Sequence, residues 1–307
     1  MFVNVLTQVL VLLILIMLGV LLTRLKMLNE TTVKQMTDIV LMLVTPCVII
    51  KSFMREFDPS FTGKLLISFL ISIVVHVFYI VISCLFIRHQ DKSREKVLRF
   101  AAIFSNCGFM SVPLLEAILG DMGVFYGSAY LAVFNVLIWS YGIFLMSGNR
   151  KEMSAKKIII NPGIIGITVA LLVFFLNIPL HKVPIISQPI GFLAGLNTPV
   201  PMIIIGYHLA NSNLFEAVKN LKALFSMSLK LFVFPLATLF GMYFCGIRGE
   251  VLVAITISAS APTAAITTMF SSKFGGDTKL SVSMVSLSTI ISIISMPIII
   301  TLAQAIA

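Results

Sequence analysis

Charge is scarce in this sequence. Of its 307 residues only 11% are Asp, Glu, Lys or Arg, against 59% hydrophobic, and the mean hydropathy is +1.07. A soluble fold of this size needs far more charged surface, so a water-soluble globule is excluded. Cysteine is sparse as well. Cys47, Cys84, Cys107 and Cys245 all lie in apolar stretches without CxxC or metal-ligand spacing, which argues against a disulfide framework and a zinc site. No cofactor is expected. No linker could hold a soluble domain: the longest break, SGNRKEMSAKK at 147–157, is an ordinary connection. HExxH, GxSxG and Walker A motifs are missing, and FGGD (274–277) lacks a second intramembrane aspartate with which to form a catalytic pair, so an intramembrane enzyme is a minor alternative.

What the chain has is apolar length. A bilayer core of roughly 30 Å takes about 20 apolar residues per helix. Ten such stretches occur, at 3–22, 33–54, 61–87, 98–118, 122–147, 158–178, 184–210, 222–245, 250–272 and 278–305, and they are called predicted helices 1 to 10. No Lys or Arg precedes the first and no small-residue cleavage site follows it, so it reads as a retained helix rather than a signal peptide.

The net charge of +10 is a matter of topology. Of the 22 Lys and Arg residues, Lys51, Arg55, Lys64, Lys182 and Arg248 fall on one side. The rest follow predicted helices 1, 3, 5, 7 and 9, in the groups Arg24–Lys34, Arg88–Arg99, Arg150–Lys157, Lys219–Lys230 and Lys273–Lys279. The positive-inside rule places these in the cytoplasm and both termini outside a cytoplasmic membrane. The partner implied is a lipid bilayer; no nucleic acid is expected.

The helix breakers carry a repeat. VTPCVII (44–50) and NTPVPMIII (197–205) match Thr45-Pro46 to Thr198-Pro199 at an offset of 153, and SVP (111–113) matches SAP (260–262) at 149. Either prolines are simply common in membrane helices or two five-helix halves, residues 1–149 and 150–307, repeat. Five being odd, the second half would cross in the opposite sense, which is the inverted repeat of many secondary transporters.

Proline removes a donor and clashes with the carbonyl a turn earlier, and unpaired backbone is tolerated in hydrocarbon only inside protein or along a wet cavity. Pro113 and Pro262 are expected in the first turns of the second halves of predicted helices 4 and 9, with Ser111 and Ser260 capping the exposed amides. Two half-helix N-termini would then form an anion site, and the opposite ends would offer carbonyls to a cation. Among ionisable groups at depth, His76 is either a bonded structural histidine or a proton-linked or substrate-facing group, and His76 and Glu116 are the candidates for coupling, which would be to sodium or protons. Glu116, Lys230 and His208 lie near helix ends, where side chains snorkel. Asn106 is either an interhelical bond or a substrate ligand. Ser281, Ser288, Ser292 and Ser295, and the GFLAG element (191–195), read as packing surfaces, and Asn135 as support for broken helix 4.

These residues resemble the auxin efflux carrier family of permeases, which includes the plant PIN-type carriers and bacterial proteins described as malate or malonate permeases. SNCGFMSVPLLEAILGDMGVFYGSAYLAVFNVLIWSYG, with an Asn seven residues before the crossover proline, is similar to its helices 4 and 5. NPGIIGITVALLVFFLNIPL with LNTPVPMIIIGYHLA is similar to helices 6 and 7, and SAPTAAITTMFSSKFGGDTKLSVSMVSLSTIISIISMPIII to helices 9 and 10. The resemblance implies an all-α integral membrane protein with ten transmembrane helices in two inverted five-helix repeats, broken helices 4 and 9 crossing, in a sodium/proton antiporter-like or bile-acid-symporter-like fold. Helices 1, 2, 6 and 7 would be the scaffold, and 3–5 with 8–10 the moving core of an elevator-type homodimer. Substrate would bind at the crossover, and family carry-over points to Asn106, Pro113 and Pro262. With the polar and small neighbours of the breaks, the expected substrate-binding set is Asn106, Cys107, Gly108, Ser111, Pro113, Ser260, Pro262, Thr263, Asn197 and Thr198. The expected function is secondary transport of a small organic anion, a mono- or dicarboxylate. The alternatives are a sodium- or proton-coupled symporter of another small solute, such as an amino acid, or a membrane sensor.

Overall fold

The computed structural model describes residues 2–56, 58–153, 160–212 and 214–307. Twelve helical elements matter here: α1 (Phe2–Arg24), α2 (Glu30–Phe53), α3 (Pro59–Phe86), α4 (Lys92–Ile103), α5 (Cys107–Ser147), α6 (Pro162–Phe175), α7 (Pro184–Gly195), α8 (Pro199–Ala210), α9 (Leu221–Phe244), α10 (Gly249–Ser260), α11 (Ile266–Lys273) and α12 (Thr278–Ile306). No strand occurs among the described residues. Among the described residues seven spans are long and apolar enough to cross a membrane, and α6 and α10 are shorter apolar helices. This is a multi-pass membrane protein.

Polar caps set many of the helix starts. Side chains of Asn29, Asp91, Asn161, Asn220 and Asp277 accept from the first free amides of α2, α4, α6, α9 and α12, offsetting donors that have no intrahelical partner. Predicted helices 4 and 5 run on as α5, turned at Gly120, whose φ of 63° and ψ of −153° only glycine adopts readily.

Pro46 and Pro113, read as helix breakers, behave differently from expectation, and Pro235 behaves as they do. Pro46, Pro113 and Pro235 do not break their helices. Each follows a single π turn, Val40–Val44, Cys107–Ser111 or Leu229–Val233, and the residue before the proline donates to a carbonyl five residues back: Thr45 N to Val40 O, Val112 N to Cys107 O, Phe234 N to Leu229 O. One extra residue in the turn makes room for the ring and keeps the chain helical. The true interruptions are elsewhere, at residues 104–106 between α4 and α5 and 261–265 between α10 and α11. α4 and α10 begin 157 residues apart and end 157 residues apart, so the element boundaries repeat at 157 rather than at the 149 of the Ser-x-Pro match.

Many of the basic loops gather at one end of the bundle. Arg94 pairs with Asp277 at 2.9 Å, Lys96 donates to the Met146 and Phe274 carbonyls, and Lys222 to that of Arg88. At other connections Lys51 pairs with Glu116 and Lys182 with Glu56. Lys156, Lys157 and the start of predicted helix 6 at 158–159 lie outside the described residues. Lys230, grouped with the loop cations by its position in the sequence, is instead fully buried within α9. Helix α1 approaches α8 closely: a Cβ at Gly19 would fall on the Ile203 carbonyl, and one at Gly206 on that of Ile16. The two glycines of GFLAG make no close helix approach, since nothing lies within 4 Å of a Cβ at Gly191 or Gly195, although Ala194 beside them is buried. The α12 serines 281, 288, 292 and 295 are buried as expected.

Candidate functional site

The site is built by the two interruptions, which meet. Ser105 and Thr263 form an isolated antiparallel bridge, Asn106 N donates to Pro262 O at 2.7 Å, and Ala264 N to Phe104 O at 2.9 Å. Backbone groups freed by breaking two helices thus pair with each other, which is what a water-poor interior requires. α4 and α10 arrive at this crossing with their C-terminal ends; α5 and α11 leave it with their N-terminal ends.

Around the crossing the expected residues divide. Asn106 is buried, and its Nδ2 has no hydrogen-bond partner. Met110 N makes the first bond of α5 back to the Asn106 carbonyl, so the amides before it precede the intrahelical ladder. Gly108 is half-buried, and a Cβ there would meet only Leu131 Cδ1, at 3.8 Å. Cys107 is buried. Pro262 lies in the break itself, with its carbonyl accepting from Asn106. Thr263 is fixed from both sides: its N donates to Ser288 Oγ at 3.2 Å and its Oγ1 to Ala101 O at 3.1 Å.

The two serines do not cap. Ser111 has helical φ and ψ and no capping bond, because the half-helix begins a turn earlier, and Ser260 is the last residue of α10 rather than the start of α11. Both hydroxyls instead donate to one acceptor, the Ile257 carbonyl, Ser111 at 3.4 Å and Ser260 at 3.0 Å. They tie α5 to α10. Pro113 likewise sits inside α5, past the π turn, and does not make the break. Asn135 bonds Leu131 O in its own helix, not the broken segment.

Asn197 and Thr198 belong to a different junction, between α7 and α8. Asn197 Oδ1 accepts from Thr45 Oγ1 at 3.4 Å, which links the two Thr-Pro motifs, and its Nδ2 is buried and unpartnered. Thr198 lines a pocket of about 170 Å³ with Gln8 and Leu12 of α1 and Pro113, Glu116 and Ala117 of α5. At about 30 Å³ per water this holds a small solute only. The pocket takes in Pro113, Thr198 and Glu116 from the expected residues but not Asn106. Glu116 is bonded to Lys51 at 2.7 Å, with its side chain one-third exposed. His76 is fully buried, with Nδ1 on the Ser72 carbonyl at 2.7 Å, its ring 4.5 Å from that of Tyr130, and Nε2 unpartnered.

A near-continuous match to known proteins accompanies this geometry. Residues 4–300 match the family described as Membrane transport protein. The chain belongs to this family. It is the auxin efflux carrier family that the sequence resembles, and it is a family of membrane transporters. A relative from Methanothermobacter thermautotrophicus, described as an uncharacterized transporter, is 25% identical over 293 residues, 94% of this chain and 95% of the relative. For a membrane transport protein, an unpaired buried amide beside two helix N-termini is chemistry that can hold a solute.

Sequence reasoning missed three neighbours of the crossing: Lys230, whose Nζ donates to Ser105 Oγ and the Ala259 carbonyl, Tyr79, whose ring lies 5.9 Å from that Nζ, and Ser288, which accepts from Thr263 N. Depth was the readable signal for Lys230: nine residues into α9, at 1.5 Å per residue, puts it about 13 Å from the helix start, too far in to be read simply as a helix-end residue.

Proposed function

We propose that this chain is a secondary carrier that moves a small organic anion, a mono- or dicarboxylate, across the cytoplasmic membrane. The observation that carries this reading is the antiparallel meeting of two interrupted helices beside the buried, unpaired Asn106 amide. Each of the helix N-termini of α5 and α11 supplies roughly half a positive charge, so together they match a carboxylate without a buried arginine. Asn106 Nδ2 adds a directional donor.

The mechanism we infer is alternating access of the elevator type. The 157-residue repeat of the broken helices and the antiparallel bridge between them support two inverted five-helix repeats, ten membrane segments in all, with both termini outside. α1, α2, α6, α7 and α8 would form the scaffold, and α3–α5 with α9–α12 the moving core, in a homodimer. The 170 Å³ pocket between α1, the start of α8 and α5 lies on the seam between scaffold and core, next to the crossing in sequence through Pro113 but not including Asn106.

The test is uptake into proteoliposomes of labelled carboxylates, amino acids and indole acids, with and without ion gradients. A carboxylate is expected to accumulate. The reading is overturned if only amino acids move, or if none moves while a labelled peptide or lipid is cleaved.

A further inference from the structure

Four helix ends meet at the crossing, two of each polarity. The C-terminal ends of α4 and α10 each carry roughly half a negative charge, so together they call for about one positive charge, on the side away from the N-termini. That charge is present in the chain. The Lys230 side chain is fully buried, and lysine is almost never buried so completely without partners. Its Nζ donates to the Ala259 carbonyl in the last turn of α10 at 2.9 Å and to Ser105 Oγ, just beyond the end of α4, at 2.5 Å. The Tyr79 ring lies 5.9 Å from Nζ, within cation–π range. Among the described residues no carboxylate pairs with it.

Each partner is itself held. The Tyr79 ring stacks on Phe234 at 4.3 Å, and its hydroxyl shares a 2.6 Å bond with Thr238 Oγ1. Ser105 Oγ also meets the Tyr130 hydroxyl at 3.1 Å. Lys230 stands in the π turn that precedes Pro235, a local widening of the kind often found at functional positions.

We propose that the Lys230 ammonium is a chain-tethered cation occupying the carbonyl-lined position where a sodium ion would otherwise balance the converging C-terminal ends, so that transport needs no sodium. A free cation at the same place would be repelled by the ammonium at short range. The transport consequence rests on the carrier reading; the cation position does not.

The experiment uses purified full-length protein and reads two quantities. One is the thermal unfolding midpoint in sodium chloride, methylammonium chloride or choline chloride at matched ionic strength. The other is carboxylate uptake into proteoliposomes with sodium or choline outside. Wild type is expected to show the same midpoint and the same uptake in sodium and choline. Lys230→Met, similar in length but uncharged, is expected to lose several degrees and to cut uptake roughly tenfold or more, the factor that matches loss of one hydrogen bond to a charged group. Lys230→Ala, which vacates the position, is expected to regain part of its midpoint in sodium or methylammonium but not in choline.

A wild-type midpoint or uptake that rises with sodium overturns the proposal, and so does a Lys230→Met protein matching wild type in both readouts. If the alanine variant does not fold, the wild-type salt comparison and the methionine variant still decide. If no solute is transported but the midpoints follow the expected pattern, the tethered cation stands and the carrier reading falls.

Discussion

Two Ser-x-Pro elements, 111–113 and 260–262, look alike in sequence and do different things. Pro113 lies within a continuous α5, where a π turn absorbs the ring and the helix goes on. Pro262 lies in a real interruption, and its carbonyl is one of the few bonds holding the two broken helices together. The difference teaches that a proline alone does not open a membrane helix. The partner of Pro262 in that bond is Asn106, seven residues before Pro113, in a Phe-Ser-Asn stretch whose short polar side chains compete with helical backbone bonding.

Substitutions at these places should separate the two elements. The largest effect is expected from Pro262→Ala, which allows α10 to continue towards α11 and dissolves the crossing: uptake in proteoliposomes should fall to background. Pro113→Ala should keep most of its uptake, because it only lets a π turn relax to α-helix. Equal losses in the two variants would erase the distinction drawn between them. Next comes Asn106→Ala. Uptake should drop at least roughly tenfold, the worth of one hydrogen bond to a charged group, while the thermal midpoint stays at the wild-type value, since Nδ2 has no partner within the protein. A lowered midpoint with unchanged uptake would make Asn106 structural glue.

Ser288→Ala removes the acceptor for Thr263 N and leaves a buried donor unpaired, which costs about 1–3 kcal/mol. Unfolding monitored by intrinsic fluorescence should register it as a lower midpoint. The smallest effect belongs to Lys51→Ala. Its pair with Glu116 is about one-third exposed on both sides, and such pairs contribute about 0–1 kcal/mol. Any destabilisation should shrink further in high salt.

Much of this architecture was legible in the residues, because length and hydropathy are what a bilayer selects. Many of the segment ends fall near capping residues or Gly120, and the motif combination identified the family. The places where reading failed share one cause: which face of a helix looks inward depends on packing. Ser111 and Ser260 were expected to cap half-helices, but the first is inside a helix and the second at the wrong end, and both bond the Ile257 carbonyl. Lys230 was expected to snorkel, but its amine turns into the crossing. GFLAG was expected to pack through its glycines, but a Cβ at either one meets nothing within 4 Å, and it is Ala194 that is buried. Asn106 stood out in the sequence because an amide at that depth is anomalous whichever way it points. Its unpaired Nδ2 is a property only the folded chain reveals.

The central claim is that the anion binds at the crossing of residues 104–106 with 261–265, and Gly108 offers the most direct way to test it. A side chain there meets only Leu131 at 3.8 Å, so Gly108→Cys, in a background with Cys47, Cys84, Cys107 and Cys245 replaced, should fold and expose one thiol beside Asn106. The measurement is the rate of labelling by a water-soluble maleimide with and without a saturating concentration of the carboxylate found to be transported. Slower labelling in its presence is the predicted result, and a rate indifferent to that carboxylate would contradict the claim.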